Sequence, residues 1–383
     1  MSLRETLSTY WTRIQEDLFP WLDDTMDTPL SERHRQFVSV LGIARIETFL
    51  PCWQGLPGRP PSERAALARA FVAKAVFNLP TTSLLIDVLS GDKTLRRLCG
   101  WQRAGEVPSE STFSRAFAAF AESALPSRLH QALIQETHAD RLVGHISRDS
   151  TAIDAREKPA KPEQTTPVVA QPKPKRGRPR KDEVRPVEPP RRIERQLGMT
   201  LAQMLDDLPR HCDVGTKRNA KGHYESWIGY KLHIDSADGG VPISCVLTSA
   251  SVHDSQVAIP LATMTAARVT NLYDLMDAAY DDAALKQHSR DLNHVPIIDI
   301  NPRAIPGLKQ ELADESKRRR LVGHQMAEDV RYGERSTAER VNAGLKDNHG
   351  GRTVQVRGAT KVMCHLMFGV FTLTALQLLR LVT

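Results

Sequence analysis

LVGHISRDS, residues 142–150, is where the chain changes its period. Val143, His145, Ser147 and Asp149 alternate onto one face, as in a β-strand that ends at Asp149. Before it, to about residue 140, the pattern is helical. In AALARAFVAKAVFNL, Leu67, Ala70, Phe71 and Ala75 share a helical face that only Lys74 interrupts. SESTFSRAFAAFAESAL follows Pro108, offers Ser109 or Ser111 as a cap, and repeats Phe113, Phe117 and Phe120 at helical intervals. After it, residues 157–192 are rich in Pro, Lys and Arg and nearly free of large apolar side chains. Such a segment cannot bury enough surface to order itself and reads as a basic insertion. A mixed helical piece (RRIERQLGMTLAQMLDDL) leads to strands SWIGYKLHIDS and VPISCVLTSAS, helix SQVAIPLATMTAAR, strand NLYDLMD, helix DDAALKQHSRDL and strand VPIIDIN. Helical stretches around Glu339 and from Ala359 onward close the chain. The expectation is an all-helical N-terminal domain over residues 1–140. An α/β domain over residues 141–383 follows, a mixed sheet flanked by helices and interrupted by the insertion.

The whole chain has 383 residues, 40% of them hydrophobic, and a formal net charge of +7, which favours a polyanionic partner. Its five cysteines show neither CxxC nor CxxH spacing, so neither a zinc site nor a disulfide framework is implied and a reducing compartment fits. The N-terminus lacks a signal-peptide pattern, and the apolar run from Val362 to Val382 carries His365, Gln377 and Arg380, which reads as a buried helix rather than a membrane span.

Two aspartates, Asp149 and Asp277, each end a strand, and strands of one sheet can aim two such groups into one crevice. Hydrolytic metal chemistry needs several oxygen ligands converging there with positions left open. Strand-end aspartates also commonly just cap turns. YGERSTAERVNAGLK then sets Tyr332, Arg335, Glu339 and Lys346 at intervals of three, four and seven, one face if the whole stretch is a single helix. An acid flanked by Arg, Lys and Tyr suits a phosphate-handling site; a solvated helix with a surface Arg335–Glu339 pair is the plainer alternative. His253 and Asp254 could be taken for a metal pair but read better as shaping the turn before a helix, His233 reads as structural or near the site, and Trp227 and Tyr230 as lying on opposite strand faces.

Tyr-x2-Arg-x3-Glu-x6-Lys resembles the YREK signature of cut-and-paste insertion-sequence transposases. HISRDSTAID and LMDAAYDD resemble the segments holding that family's first and second catalytic aspartates, and ASVHDSQV and the N-terminal helices resemble its other parts. The resemblance implies an RNase H-like core and catalytic carboxylates Asp149, Asp277 and Glu339 holding two divalent metal ions, Mg2+ with Mn2+ as a substitute. It also implies that Tyr332, Arg335 and Lys346 meet DNA, and that the helical N-terminal domain binds DNA ends. The partner is then double-stranded DNA, at element ends and target, gripped by a homodimer in a bacterial cytoplasm at the nucleoid, with no membrane. A nuclease without strand transfer, or a transposase-derived DNA-binding protein without catalysis, would share these features. Members often carry a long, mostly β insertion before the glutamate; here about 60 residues separate Asp277 from Glu339. Within the basic insertion, Arg176-Gly177-Arg178-Pro179 resembles an AT-hook core, in which an extended Arg-Gly-Arg lies in a narrow A·T minor groove.

Overall fold

The structure, a computed structural model, describes residues 3–26, 28–51, 63–160, 189–218, 222–302 and 305–382. Eight helices come first: α1 (Leu3–Arg13), α2 (Phe19–Thr25), α3 (Glu32–Ala44), α4 (Arg64–Val76), α5 (Thr82–Gly91), α6 (Lys93–Cys99), α7 (Glu110–Glu122) and α8 (Leu125–His138). Strand β1 (Leu142–Asp154) is followed by α9 (Arg192–Gln196), α10 (Leu201–Asp207), β2 (Asp213–Arg218), β3 (Tyr224–Ala237) and β4 (Val241–Ser249). Then come α11 (Ser255–Ala266), β5 (Thr270–Met276), α12 (Ala283–Asp291), β6 (Val295–Ile298), α13 (Leu308–Leu321), α14 (Ala327–Gly333), α15 (Ser336–Asn348) and α16 (Ala359–Arg380).

The strands form one mixed sheet in the order β2-β3-β1-β5-β6, with β4 also on β3. β1 is central, antiparallel to β3 and parallel to β5. With helices on its faces, this is the expected RNase H-like arrangement. β1 runs beyond the expected end, because Thr151 and Ile153 continue the alternation and pair with Leu232 and Tyr230. Asp149 therefore lies inside the strand. What opens the sheet beside it is the end of β5: the last β1–β5 pair is Ser147↔Leu275.

The helices and the sheet share a core. Phe71, Phe113, Phe117 and Phe120 cluster with Phe368 of α16, and Val143, Ile146 and Val241 of the sheet belong to the same group. Phe71 stands 5.8 Å from Phe113 and 5.8 Å from Phe368, ring centre to ring centre. α16 is long and apolar enough to cross a membrane by length and composition, but most of its surface is buried inside the protein. Lys74, the break in the α4 face, is buried too, and desolvation pushes its pKa down to about 8.

A second core gathers Ile153, Tyr230, Leu232 and Ile234 of the sheet with Val341 and Leu345 of α15 and Val370 of α16. Tyr230 is thus the core aromatic, while Trp227 is half-buried and donates from its indole to the Tyr230 carbonyl. α15 and α16 approach closely at Gly369, where a Cβ would stand 2.3 Å from the His349 carbonyl oxygen.

One local expectation needs correction, and three elements were not anticipated: β2, and the helices α13 and α14 after β6, neither of which buries a residue. Tyr332 belongs to α14, and a turn at Glu334–Arg335 separates it from α15, so the four signature residues do not share one helix. Arg176, Gly177, Arg178 and Pro179 lie outside the described residues.

Candidate active site

Register brings the first two carboxylates together. Asp149 and Asp277 each lie two residues past the Ser147↔Leu275 pair, so they point from the same face of adjacent strand segments. Asp277 also does what strand-end aspartates ordinarily do: its Oδ1 accepts from the Ala279 N–H at 2.9 Å.

α15 covers this face. Thr337, Ala338, Val341 and Leu345 recur at helical spacing and are buried, which fixes the rotation of the helix. Asn342 sits inside that buried strip and donates from Nδ2 to Asp149 Oδ2 at 3.0 Å. Glu339, three residues earlier on the same flank, is exposed, and its Oε1 accepts from Arg335 Nη2 at 2.8 Å. Sequence reasoning missed Asn342; an amide among apolar positions one turn from Glu339 was its only signal.

The electrostatics converge on the same place. Burial pushes the Asp149 carboxyl up to about 6; the Ser150 N–H and Arg335 oppose this, while Asp277 and Asp254 add to it. Burial also raises Asp277, with the Ala279 N–H and Arg335 opposing and Asp254 and Asp299 adding. Burial works against the Arg335 charge, yet Tyr332, Asp149, Glu339 and Asp277 together hold its pKa above the ordinary value. One guanidinium therefore stands against three carboxylates. Tyr332 donates to Asp299 Oδ2 at 3.0 Å, and Arg335 lies 5.7 Å from the centre of its ring.

Lys346 is placed differently. Burial lowers its pKa, with Lys217 and Arg352 adding to this and Asp154, at the far end of β1, and Asp347 opposing it. His233 is fully buried, bonded through Nε2 to Thr248 Oγ1 at 2.9 Å, and desolvation pushes it down to about 4, so it is neutral. His253 shapes a turn, its Nδ1 lying 2.8 Å from Ser255 Oγ.

Among the described residues, no three acidic, histidine or cysteine side chains are drawn tightly enough together to grip one ion. The donor set nonetheless suits a hard cation. It is all oxygen, carries an excess of negative charge, and includes two aspartates whose burial disfavours ionisation until a positive charge arrives.

Comparison with known proteins agrees with this geometry. Residues 202–375 match the family described as Transposase DDE domain, and residues 27–119 match Transposase domain (DUF772). The first match contains Asp277 and Glu339 and begins after Asp149. Neither the comparison with curated proteins nor that with solved structures found a match. That family uses divalent metal ions and acts on DNA. With both of its parts matched to transposase families and its C-terminal half folded as a mixed sheet under helices, the chain belongs to the insertion-sequence DDE transposases.

Proposed function

We propose that this transposase cuts DNA at the ends of its element and joins the freed 3′ ends to target DNA, using Asp149, Asp277 and Glu339 as its catalytic carboxylates. The observation that carries this reading is the seat of α15, which sets Asn342 on Asp149 and places Arg335 among all three acids. Asp149, Asp277 and Glu339 would hold two Mg2+ ions, replaceable by Mn2+. When bound, these supply charge that activates the attacking oxygen and stabilises the leaving one. Glu339 is free to leave Arg335, since exposed pairs of this kind contribute only ~0.3–0.5 kcal/mol.

Arg335 then neutralises phosphate oxygens as well as carboxylates, and Tyr332 orients the strand end beside it. Lys346 grips the backbone further along the duplex. The basic insertion adds a minor-groove contact through Arg176, Gly177, Arg178 and Pro179. The helical region over residues 1–140 holds the element end. Two protomers pair on DNA, because an element has two ends.

Labelled DNA carrying the ends that flank the gene, incubated with the full chain with and without Mg2+, tests this. Cleaved and joined products that require Mg2+, and that vanish in Asp277→Asn while DNA binding survives, are expected. Hydrolysis without joining would support a nuclease instead. DNA binding with no cleavage under any divalent ion would overturn the catalytic reading.

A further inference from the structure

Asp254 stands at the start of α11, which packs against β3 and β4. Its Oδ1 accepts from Lys231 Nζ at 2.9 Å, and Lys231 also donates to the Val252 carbonyl at 2.8 Å. The Ser150 hydroxyl donates to Asp254 as well. Ser150 follows Asp149 directly and pairs in register with His233, whose Nδ1 lies 3.8 Å from the same Asp254 oxygen. Asp254 is therefore tethered to the residue after Asp149, and its charge bears on both Asp149 and Asp277.

A second observation points to something held in this space. Tyr280 is only 1% exposed, and its hydroxyl has no hydrogen-bond partner among the described residues; the same is true of His233 Nδ1. The charges of Asp254, Asp149 and Asp277 all bear on that tyrosine. A buried hydroxyl left unpaired costs about 1–3 kcal/mol, and native proteins keep such a group where water or a ligand completes it. Here the unpaired hydroxyl belongs to the short turn that follows Asp277, beyond the end of β5.

We propose that Asp254 is a fourth acidic residue of the site, a positioning residue that with the Tyr280 hydroxyl strengthens the hold of Asp149 and Asp277 on a divalent cation. This rests on the reading of those carboxylates as the cation site. Asp254 acts through Ser150, which fixes the direction of β1 at Asp149, and through its own charge. Tyr280 supplies a donor to the shell around the bound ion. Lys231 balances Asp254 while the site is empty.

Titration of the full chain with Mn2+ by calorimetry, on protein stripped with chelator, tests this. Asp254→Asn should weaken binding roughly tenfold, the scale of one charge acting across several Å in a partly hydrated cleft. Tyr280→Phe should weaken it less, and Asp254→Glu should keep most of the affinity. If Asp254→Asn does not fold by circular dichroism, the double variant Asp254→Asn, Lys231→Met removes both members of the ion pair and carries the same expectation. Wild-type affinity in these Asp254 and Tyr280 variants, with binding lost in Asp149→Asn and Asp277→Asn, would overturn the proposal and leave the carboxylate reading standing. A wild-type chain that binds no Mn2+, or an Asp149→Asn variant that binds it normally, would overturn both.

Discussion

Asn342 Nδ2 donates to Asp149 Oδ2 at 3.0 Å, joining the middle of α15 to the central strand of the sheet. The bond restrains Asp149 from one side while Asp254 holds Ser150, the next residue of β1, from the other. Because Val341 and Leu345 pack the same helix into the second core, the amide cannot drift without disturbing that packing.

Asn342→Ala should therefore slow DNA cleavage by roughly tenfold or more, since a hydrogen bond to a charged group contributes about 1.5–3 kcal/mol. Asn342→Asp should be worse than Ala, because it adds a like charge beside Asp149. Single-turnover cleavage rates at saturating DNA decide it; equal rates for the wild type and both variants would remove Asn342 from the site.

The raised pKa of Asp149 makes a signed prediction about stability. Burial favours its neutral form, so this contribution is fully present below the unfolded carboxylate pKa of about 3.9 and is lost as pH rises through about 6. Asp149→Asn, which stays neutral, should raise the melting temperature of chelator-treated protein well above pH 6, by up to about 3 kcal/mol of stability. The gain should shrink toward nothing near pH ~4. A melting difference that does not change with pH would show that Asp149 carries no such penalty.

On the opposite face, Arg148 and Asp235 form a two-pronged ion pair at 2.8 and 2.7 Å, and Thr265 donates to the same carboxylate at 2.7 Å. Both side chains are almost completely buried. Asp235→Ala strands the arginine charge and should cost about 3–5 kcal/mol, read as a shift in the urea unfolding midpoint with unchanged slope. A loss under about 1 kcal/mol would mean that water reaches Arg148.

Lys346 stands apart from the carboxylates, beside Lys217 and Arg352. Lys346→Ala should weaken DNA binding evenly across sequences and reduce the slope of log affinity against log salt by about 1, the loss of one phosphate contact. A change in cleavage rate at saturating DNA with an unaltered salt slope would place Lys346 in the chemistry instead.

The sheet was largely legible because β1, β3, β4, β5 and β6 each carry a run of alternating or continuous apolar residues. β2 was not: in DVGTKR the only buried position is Gly215, which lies under the Trp227 ring and leaves no apolar side chain to count. α13 was hidden for the opposite reason. LKQELADESKRRRL buries nothing and so has no apolar stripe. At the site, spacing could gather Tyr332, Arg335, Glu339 and Lys346 but could not show the turn at Glu334–Arg335 or that Lys346 lies toward the far end of β1. Asp254 reads first as a turn residue and second as half of a metal pair with His253; its ties to Lys231 and Ser150 depend on how α11 packs on β3, which spacing does not show.

The C-terminal helix α16 carries a consequence for synthesis. It lies between α4, α7 and α8 on one side and β4 and α15 on the other, so neither core can close until residues 359–380 have left the ribosome. A nascent chain without α16 leaves uncovered the sides of Phe71 and Phe117 that Phe368 packs against, a state that chaperones and proteases recognise. A chain cut short before residue 359 lacks the helix that both cores share and should therefore yield no half-working protein.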